Sequence, residues 1–340
     1  MDSFGETPGR MTRKALITGA AGQDGRYLAE LLLSKGYEVH GLIRRGQNPP
    51  QLDSRAGRLV LHAGDLMDPT GLAHWTRAVD PDEVYNLAAI SDVGVSYSLP
   101  EQVAQVNGLG ALRILEAIRA GGGRARFFQA SSADMFGAAP APQNEDTPFR
   151  PESPYGAAKL FAHWMTVNYR EVHGLYACSA ILMNHESPRR PERFVTRKIT
   201  RAVARIRAGL DDELPLGNLE ARRDWGYAAE YVEAMWRMLQ QEEPADFVIA
   251  TGESHTVKEF VHRAFARAGL DWERYVRSDP GLFRPLDAPN HVGDITRAKK
   301  MLGWEPRTTF EALVDRMVDA DLEQVRRERP RVKPGGRARE

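Results

Sequence analysis

A short apolar strand, Lys14–Thr18, runs straight into Gly19-Ala20-Ala21-Gly22-Gln23-Asp24-Gly25, and an amphipathic segment carrying Tyr27, Leu28, Leu31 and Leu32 follows at once. A glycine turn between strand and helix lets the backbone come close to a pyrophosphate, and the helix N-terminus aims its partial positive charge at that anion. The strand before and the helix after separate a dinucleotide-binding turn from an ordinary glycine turn. Gly19, Gly22, Gln23, Asp24 and Gly25 are therefore candidate cofactor contacts.

Strand-like and helix-like segments alternate beyond this point. Strands are expected at Lys14–Thr18, Glu38–Ile43, Leu59–His62, Glu83–Asn86, Ala125–Gln129 and Leu175–Leu182, with helical patterns at 24–35, 70–79, 101–120 and 154–172 between them. That order predicts an α/β fold, a doubly wound parallel sheet of the Rossmann type with ligands at the carboxyl ends of its strands. After Asn184 the alternation loosens: helices are expected at 194–209, 227–241 and 308–325, one returning strand at Phe247–Ala250, and a proline-broken stretch at 279–289. The expected organisation is a disordered tail at 1–12, a dinucleotide-binding domain at 13–183 with returning segments near 219–252, a smaller mixed α/β substrate-binding lobe at 184–218 and 253–325, and a disordered basic tail at 326–340.

Charge and cysteine content remove several classes of function. The 46 basic and 46 acidic residues cancel, so no global field draws the chain to nucleic acid or to an anionic membrane. Cys178 is the single cysteine and lies in an apolar run, which suits a buried thiol, and no Cys/His set has metal-ligand spacing. His185 and Glu186 form no metal motif, since no second histidine follows at helical spacing. No apolar run approaches the roughly 20 residues of a membrane span, and a cytoplasmic protein is expected. The stripe Tyr231, Met235, Trp236 and Leu239 reads as helix core, and Leu109, Leu112, Leu115 and Ile118 as a helix face against the sheet or a second subunit.

The second strand ends in Arg44-Arg45, where an NAD site would place an acid about 20 residues beyond the glycines to hold the ribose diol. Two guanidinium groups there suit the extra 2′-phosphate of NADP. Asp65 and Leu66, just after the third strand, are placed to reach the adenine. Tyr155 and Lys159 stand four apart on one helix face after Ser153-Pro154. A phenol titrating near about 10 is a poor base at neutral pH, and an adjacent ammonium favours its phenolate. Ser131 and Ser132 follow the fifth strand and can hydrogen-bond the same substrate hydroxyl, which completes a hydride-transfer site.

These strings together resemble the extended short-chain dehydrogenase/reductases, and within them the GDP-mannose 4,6-dehydratase family, over about residues 13–325. They include Gly19–Gly25, Asn86-Leu87-Ala88-Ala89 and Pro154-Tyr155-Gly156-Ala157-Ala158-Lys159. Downstream come Asn184-His185-Glu186-Ser187-Pro188-Arg189-Arg190, Phe194–Ile199, Gly217-Asn218 and Arg222–Gly226. The resemblance implies oxidation of a sugar C4 hydroxyl, loss of water across C5 and C6, and hydride return to C6, giving GDP-4-keto-6-deoxymannose. It implies Ser132, Asp134, Tyr155 and Lys159 as the catalytic set, and Leu87, Ala88 and Arg190 as further cofactor contacts. Ser91, Asn184, Val195, Lys198, Gly217, Asn218, Arg223, Arg284 and Asp287 are implied at the GDP-sugar, and a homodimer or homotetramer as the assembly.

One departure bears on mechanism. The family carries Ser/Thr-Ser-Glu where this chain has Ser132-Ala133-Asp134. Asp134 keeps a carboxylate one methylene shorter, a displacement of about 1 Å that can cost on the order of a hundredfold in rate. Ala133 lacks a hydroxyl that could assist departure of the C6 oxygen. Ile90 stands where the family has Gln, and Asp92 where it has His or an aromatic. An NADP-dependent reductase or epimerase of a GDP-4-keto-6-deoxy sugar is the alternative, needing only Ser132, Tyr155 and Lys159. A non-catalytic NADP-binding sensor is the other; it would be marked by loss of Tyr155 or Lys159, and both are present.

Overall fold

The computed structural model describes residues 12–50, 52, 59–283 and 290–328. Arg284, Asp287 and residues 1–11 and 329–340 lie outside them.

β1 (Lys14–Thr18), β2 (Glu38–Ile43), β3 (Leu59–Ala63), β4 (Glu83–Asn86), β5 (Arg126–Ala130) and β6 (Ala177–Leu182) form one parallel sheet with the strand Phe247–Ile249. The order is β3-β2-β1-β4-β5-β6, then Phe247–Ile249 on the far edge. Register runs in step, with Leu16 opposite His40 on one side and Val84 on the other. The chain direction of the crossovers reverses between β1 and β4, the switch point at which an open sheet of this kind binds its ligand.

Helices cover both faces: α1 (Gln23–Ser34), α2 (Pro69–Val79), the short α3 (Val93–Ser98) and α4 (Pro100–Val103), α5 (Gly110–Ala120) and α6 (Pro154–His173). One apolar layer packs Leu28, Leu32, Tyr231, Met235 and Leu239 against Ile17, Phe128 and Ile181; the other packs Leu72, Ile114, Leu115 and Ile118 against Leu16, Val84 and Phe127. The expected core stripe at Tyr231, Met235 and Leu239 is fully buried, and Trp236 is half-buried at its edge. Cys178 is a buried thiol.

The start of α6 is fixed locally. Ser153 adopts extended backbone and its hydroxyl accepts the Gly156 N–H at 3.0 Å, Pro154 occupies the first helical position, and Gly174 at φ 63° ends the helix. The expected continuous helix at 101–120 is instead α4, a π-turn at Ala104–Leu109, and α5. A π-turn inserts one residue into the helical register without breaking the helix, so periodicity alone does not reveal it. Helices α3, α9 (Val257–Arg267) and α10 (Thr296–Leu302) are further elements that the sequence pattern did not separate.

Two compact units divide the chain. The first takes in the described residues through His185, Arg222–Ser254 and 290–307; the second takes in Glu186–Ala221, His255–Phe283 and 308–328. Residues 290–307, expected in the smaller lobe, belong to the first unit. There Trp304 is buried and donates to the Glu230 carbonyl at 3.0 Å, and α8 (Ala228–Met238) carries Glu230. Asp224 is wholly buried in the same unit and accepts from the Thr251 N–H (2.8 Å), the Thr251 hydroxyl (2.6 Å), the Gly252 N–H (2.9 Å) and the Gly293 N–H (3.2 Å).

In the second unit α7 (Val195–Arg207), α9 and α11 (Phe310–Glu328) pack around Ile199, Val203, Phe260, Phe265, Leu313 and Met317. α11 runs three residues into the stretch expected to be a disordered tail. At its centre a buried guanidinium, Arg197, grips Asp321 through Nε (3.0 Å) and Nη2 (2.8 Å), and Thr200 donates to the same carboxylate at 2.7 Å. Removing one member of a buried pair leaves the other charge uncompensated. Asp321→Ala is expected to destabilise the protein by about 3–5 kcal/mol, read as a lowered urea midpoint with helical circular dichroism; an unchanged midpoint would show that the pair contributes nothing.

Candidate active site

Gly19 is where β1 turns, at φ 71°, and a side chain there would meet the Ala88 backbone at 2.9 Å. Gly25 is equally confined, since a Cβ would stand 2.3 Å from the Gly19 carbonyl oxygen. Gly22 caps α1 with no side chain hydrogen-bonded to the helix N–H groups, which leaves an amide-rich cradle of the kind that takes phosphate. Thr18 holds the neighbouring loop: its hydroxyl donates to Asn86 Oδ1 at 2.7 Å and accepts the Leu87 and Ala88 N–H groups at 3.2 and 3.1 Å. Leu87 and Ala88 thus come to the glycine turn.

Arg44 and Arg45 stand exposed at the end of β2, with the Arg44 backbone N–H donating to Gln47. Asp65 is exposed beyond β3 and its Oδ1 accepts the Met67 N–H at 2.9 Å, while Leu66 is buried beside it. Arg113 in α5 donates to the Leu66 carbonyl at 3.0 Å and to the Gln105 carbonyl in the π-turn at 3.0 Å. Asn107, in the same turn, accepts the Ile90 N–H at 2.8 Å and donates to the Ile90 carbonyl at 3.0 Å. The π-turn therefore fastens the loop after β4 through Asn107, and Arg113 of α5 ties the loop after β3 to the same turn. Sequence reasoning missed Asn107 and Arg113; their signal, a regular helix, hid the extra residue.

Tyr155 sits in the first turn of α6, 8 % exposed, and Lys159 one turn later, 4 % exposed. The Lys159 ammonium donates to the Ala130 carbonyl at the end of β5 (2.8 Å) and lies 5.8 Å from the centre of the Tyr155 ring. Ile90 and Val93 pack on the apolar patch of Tyr155, Val103 and Ala158. Ser132 caps a single 3₁₀ turn at Ala133–Met135, accepting the Asp134 N–H at 3.2 Å and donating to Asp134 Oδ2 at 3.1 Å. The Asp134 carbonyl faces Gly156, where a Cβ would lie 2.6 Å away, so the start of α6 presses on this turn. Ser132, Asp134, Tyr155 and Lys159 are thereby brought to one edge of the sheet. The hydroxyl of Ser131 is buried there without a hydrogen-bond partner. Asp92 serves the helix beside it, since its carboxylate caps α3 by accepting from Gly94 and Val95.

Of the other expected substrate contacts in the first unit, Ser91 and Asn184 are half-buried, and Arg223 donates to the Arg222 carbonyl at 2.6 Å beside the strand pair of Arg222–Arg223 with Asn290–His291. In the second unit, Arg190 pairs with Glu186 at 3.1 Å and stacks on Phe194 at 3.7 Å. Lys198 donates to the Pro215 carbonyl at 2.6 Å, and burial lowers its pKa below the ordinary lysine value. Val195 opens α7, Asn218 accepts the Glu220 N–H at 3.0 Å, and Gly217 gives the Leu282 carbonyl room, since a Cβ would stand 2.8 Å from it. Among the described residues no cluster of His, Cys, Asp and Glu has the makings of a metal site, and no helix is long and apolar enough to cross a membrane.

A parallel sheet with this strand order, a glycine-turn cradle and a Ser/Tyr/Lys set beside it define an extended short-chain dehydrogenase/reductase. Sequence comparison narrows this. Residues 16–317 match the family model described as GDP-mannose 4,6 dehydratase. The chain is 56 % identical over 330 residues to GDP-mannose 4,6 dehydratase 1 of Arabidopsis thaliana, covering 93 % of this chain and 91 % of that one. It is 47 % identical over 349 residues to the human GDP-mannose 4,6 dehydratase, covering 94 % of each. Among solved structures, UDP-glucose 4-epimerase of Thermus thermophilus in complex with NAD superposes with a TM-score of 0.79 at 28 % identity, over 91 % of this chain and 98 % of that one. The chain belongs to the GDP-mannose 4,6-dehydratase family, lyases of the short-chain dehydrogenase/reductase superfamily.

Burial lowers Lys159 from the ordinary lysine value to about 8, partly offset by the negative charges of Asp24 and Asp134. The unfolded chain keeps this proton to about pH 10.4, so between pH 8 and that value the unfolded state binds more protons and stability rises with pH. The unfolding free energy of wild type relative to Lys159→Met is expected to increase from pH 8 to 10 in urea titrations; a flat difference would mean that the ammonium is not desolvated.

Proposed function

We propose that the chain converts GDP-mannose to GDP-4-keto-6-deoxymannose with NADP as a recycled cofactor. The observation that carries this reading is the buried Lys159 ammonium beside Tyr155, on the same sheet edge as the one carboxylate of the Ser132-Ala133-Asp134 turn. The cradle of Gly19, Gly22 and Gly25 suits a pyrophosphate, with Gln23 and Asp24 beside it. Leu87 and Ala88 suit the dinucleotide backbone, Asp65 and Leu66 the adenine, and Arg190 a further contact. Arg44 and Arg45 would hold the 2′-phosphate that distinguishes NADP from NAD. A nicotinamide held there would supply a hydride acceptor for the sugar C4 and a hydride donor for C6.

The chain's own groups manage the protons. Tyr155, as phenolate favoured by the Lys159 charge, removes the C4 hydroxyl proton, and Ser132 hydrogen-bonds the same oxygen. The C4 ketone acidifies the proton at C5. Asp134 takes that C5 proton and passes it to the departing C6 hydroxyl, which leaves as water, and the proton held by Tyr155 returns to C5 once C6 is reduced. Ser132 holds Asp134 Oδ2, which orients the shorter carboxylate at the turn. Ser91, Asn184, Val195, Lys198, Gly217, Asn218, Arg223, Arg284 and Asp287 are proposed for the GDP-sugar, and a homodimer or homotetramer in the cytoplasm is proposed as the working form.

Purified protein given GDP-mannose is expected to form a product with the alkaline ultraviolet absorbance of a 4-keto sugar without net change in NADPH. Consumption of NADPH with GDP-4-keto-6-deoxymannose, and no product from GDP-mannose, would replace this reading with the reductase. Tyr155→Phe is expected to lower kcat by roughly 10²–10⁴-fold, the usual worth of a positioned acid–base group. Asp134→Asn should stop elimination while still allowing reduction of the bound cofactor by the sugar, visible at 340 nm; unchanged turnover would remove Asp134 from the mechanism.

A further inference from the structure

The turn that carries Ser132 and Asp134 is held at both ends. At its entry the Ser131 N–H donates to the Ala180 carbonyl of β6 at 2.9 Å, so the sheet fixes the approach to Ser132. Within it, the Ser132 and Ala133 carbonyls accept the Met135 and Phe136 N–H groups at 3.2 and 2.9 Å. Past it, the Met135 carbonyl accepts the Arg150 N–H at 2.8 Å and the Phe136 carbonyl accepts the Ala139 N–H at 3.1 Å. At the exit the donor is a side chain. His291 is 3 % exposed, and its Nε2 stands 3.0 Å from the Gly137 carbonyl oxygen. A carbonyl oxygen only accepts, so Nε2 carries a hydrogen. Gly137, at φ 55°, lies against the Arg150 carbonyl, which a Cβ would overlap.

The imidazole is delivered from a clamped strand. Gln143 is wholly buried and grips the residues on either side of His291. Its Oε1 accepts the Val292 N–H at 2.9 Å, its own N–H donates to the Val292 carbonyl at 2.8 Å, and its amide donates to the Asn290 carbonyl at 3.1 Å. The Gly293 N–H donates to Asp224, the buried carboxylate next to Arg223. His291 is itself the parallel partner of Arg223 in the strand pair described above. One strand therefore bears both on the arginine proposed for the diphosphate and on the end of the turn that carries the proposed base. A short carboxylate depends on its backbone for reach, and a misplacement of about 1 Å at a reacting group can cost on the order of a hundredfold in rate.

We propose that His291 is a positioning residue for the elimination: by holding the Gly137 carbonyl from the strand paired with Arg223, it fixes where the Asp134 carboxylate stands relative to the bound sugar. This rests on the reading given above, in which Asp134 removes the C5 proton. The sheet holds the entry of the turn, so release of the exit moves Asp134 more than Ser132. C4 oxidation, which uses Tyr155 and Ser132, is then spared while elimination slows.

Single-turnover mixing of the full-length enzyme and NADP with GDP-mannose tests it on wild type, His291→Leu and His291→Gln. Absorbance at 340 nm rises with C4 oxidation and decays once elimination lets the hydride return. His291→Leu, which lacks the donor, is expected to keep the rise within about twofold of wild type and to slow the decay roughly tenfold. His291→Gln, whose amide donates from near the place of Nε2, is expected to decay within about threefold of wild type. Rise and decay slowed alike, or a glutamine variant as slow as the leucine one, overturns the proposal, because the ring then only fills space. Independently of any cofactor, ¹⁵N-histidine NMR of wild type is expected to show a hydrogen on Nε2 of His291. A neutral ring with its hydrogen on Nδ1 alone overturns the proposal even if the variants fail to fold. Wild type that forms no 4-keto product from GDP-mannose removes the Asp134 reading and this inference together. Wild type that forms it, with the decay unchanged in His291→Leu, overturns this inference alone.

Discussion

A single ammonium, taken out of water and set against one carbonyl oxygen, organises this protein. Lys159 reaches from α6 to the Ala130 carbonyl at the end of β5, and the contact joins the helix that bears the phenol to the strand whose next residues carry the hydroxyl and the carboxylate. Burying a charge of this kind is unfavourable on its own. The carbonyl, with Asp24 and Asp134 in electrostatic range, recovers enough to hold the proton near neutral pH while keeping the group ready to lose it. The Ser153 cap, the proline after it and Gly156 against the Asp134 backbone then leave α6 one way to dock. The chemistry proposed for Tyr155 depends on that docking.

Much of the sheet was legible because its strands are short, apolar and separated by turn residues. β1 with its glycines is a local pattern, and so are the Tyr155–Lys159 spacing and the Ser153-Pro154 start of α6. The small unit was harder to read. Its parts hold together through distant partners such as Arg197 and Asp321, 124 positions apart in the chain, and no local period encodes such a pair. The placement of 290–307 with the sheet was hidden for the same reason: Trp304 buries against α8, far away in sequence.

Among the site residues, glycines and backbone-held loops were the most readable, because steric need leaves few choices of residue. Side chains with two possible roles were the least readable. Asp92, a departure from the family's His or aromatic, is a helix cap. Asp134 is tied into a turn by the same serine that is proposed to meet the substrate.

The π-turn at Ala104–Leu109 has a consequence for how such a site can change. One extra residue offsets the rotational phase of the helix on its two sides. The upstream stretch and Asn107 answer to the loop after β4, while Arg113 downstream answers to the loop after β3. Substitutions on one side of the bulge therefore act first on one of these two loops, and the Arg113 contact to the Gln105 carbonyl is the link that passes a change to the other.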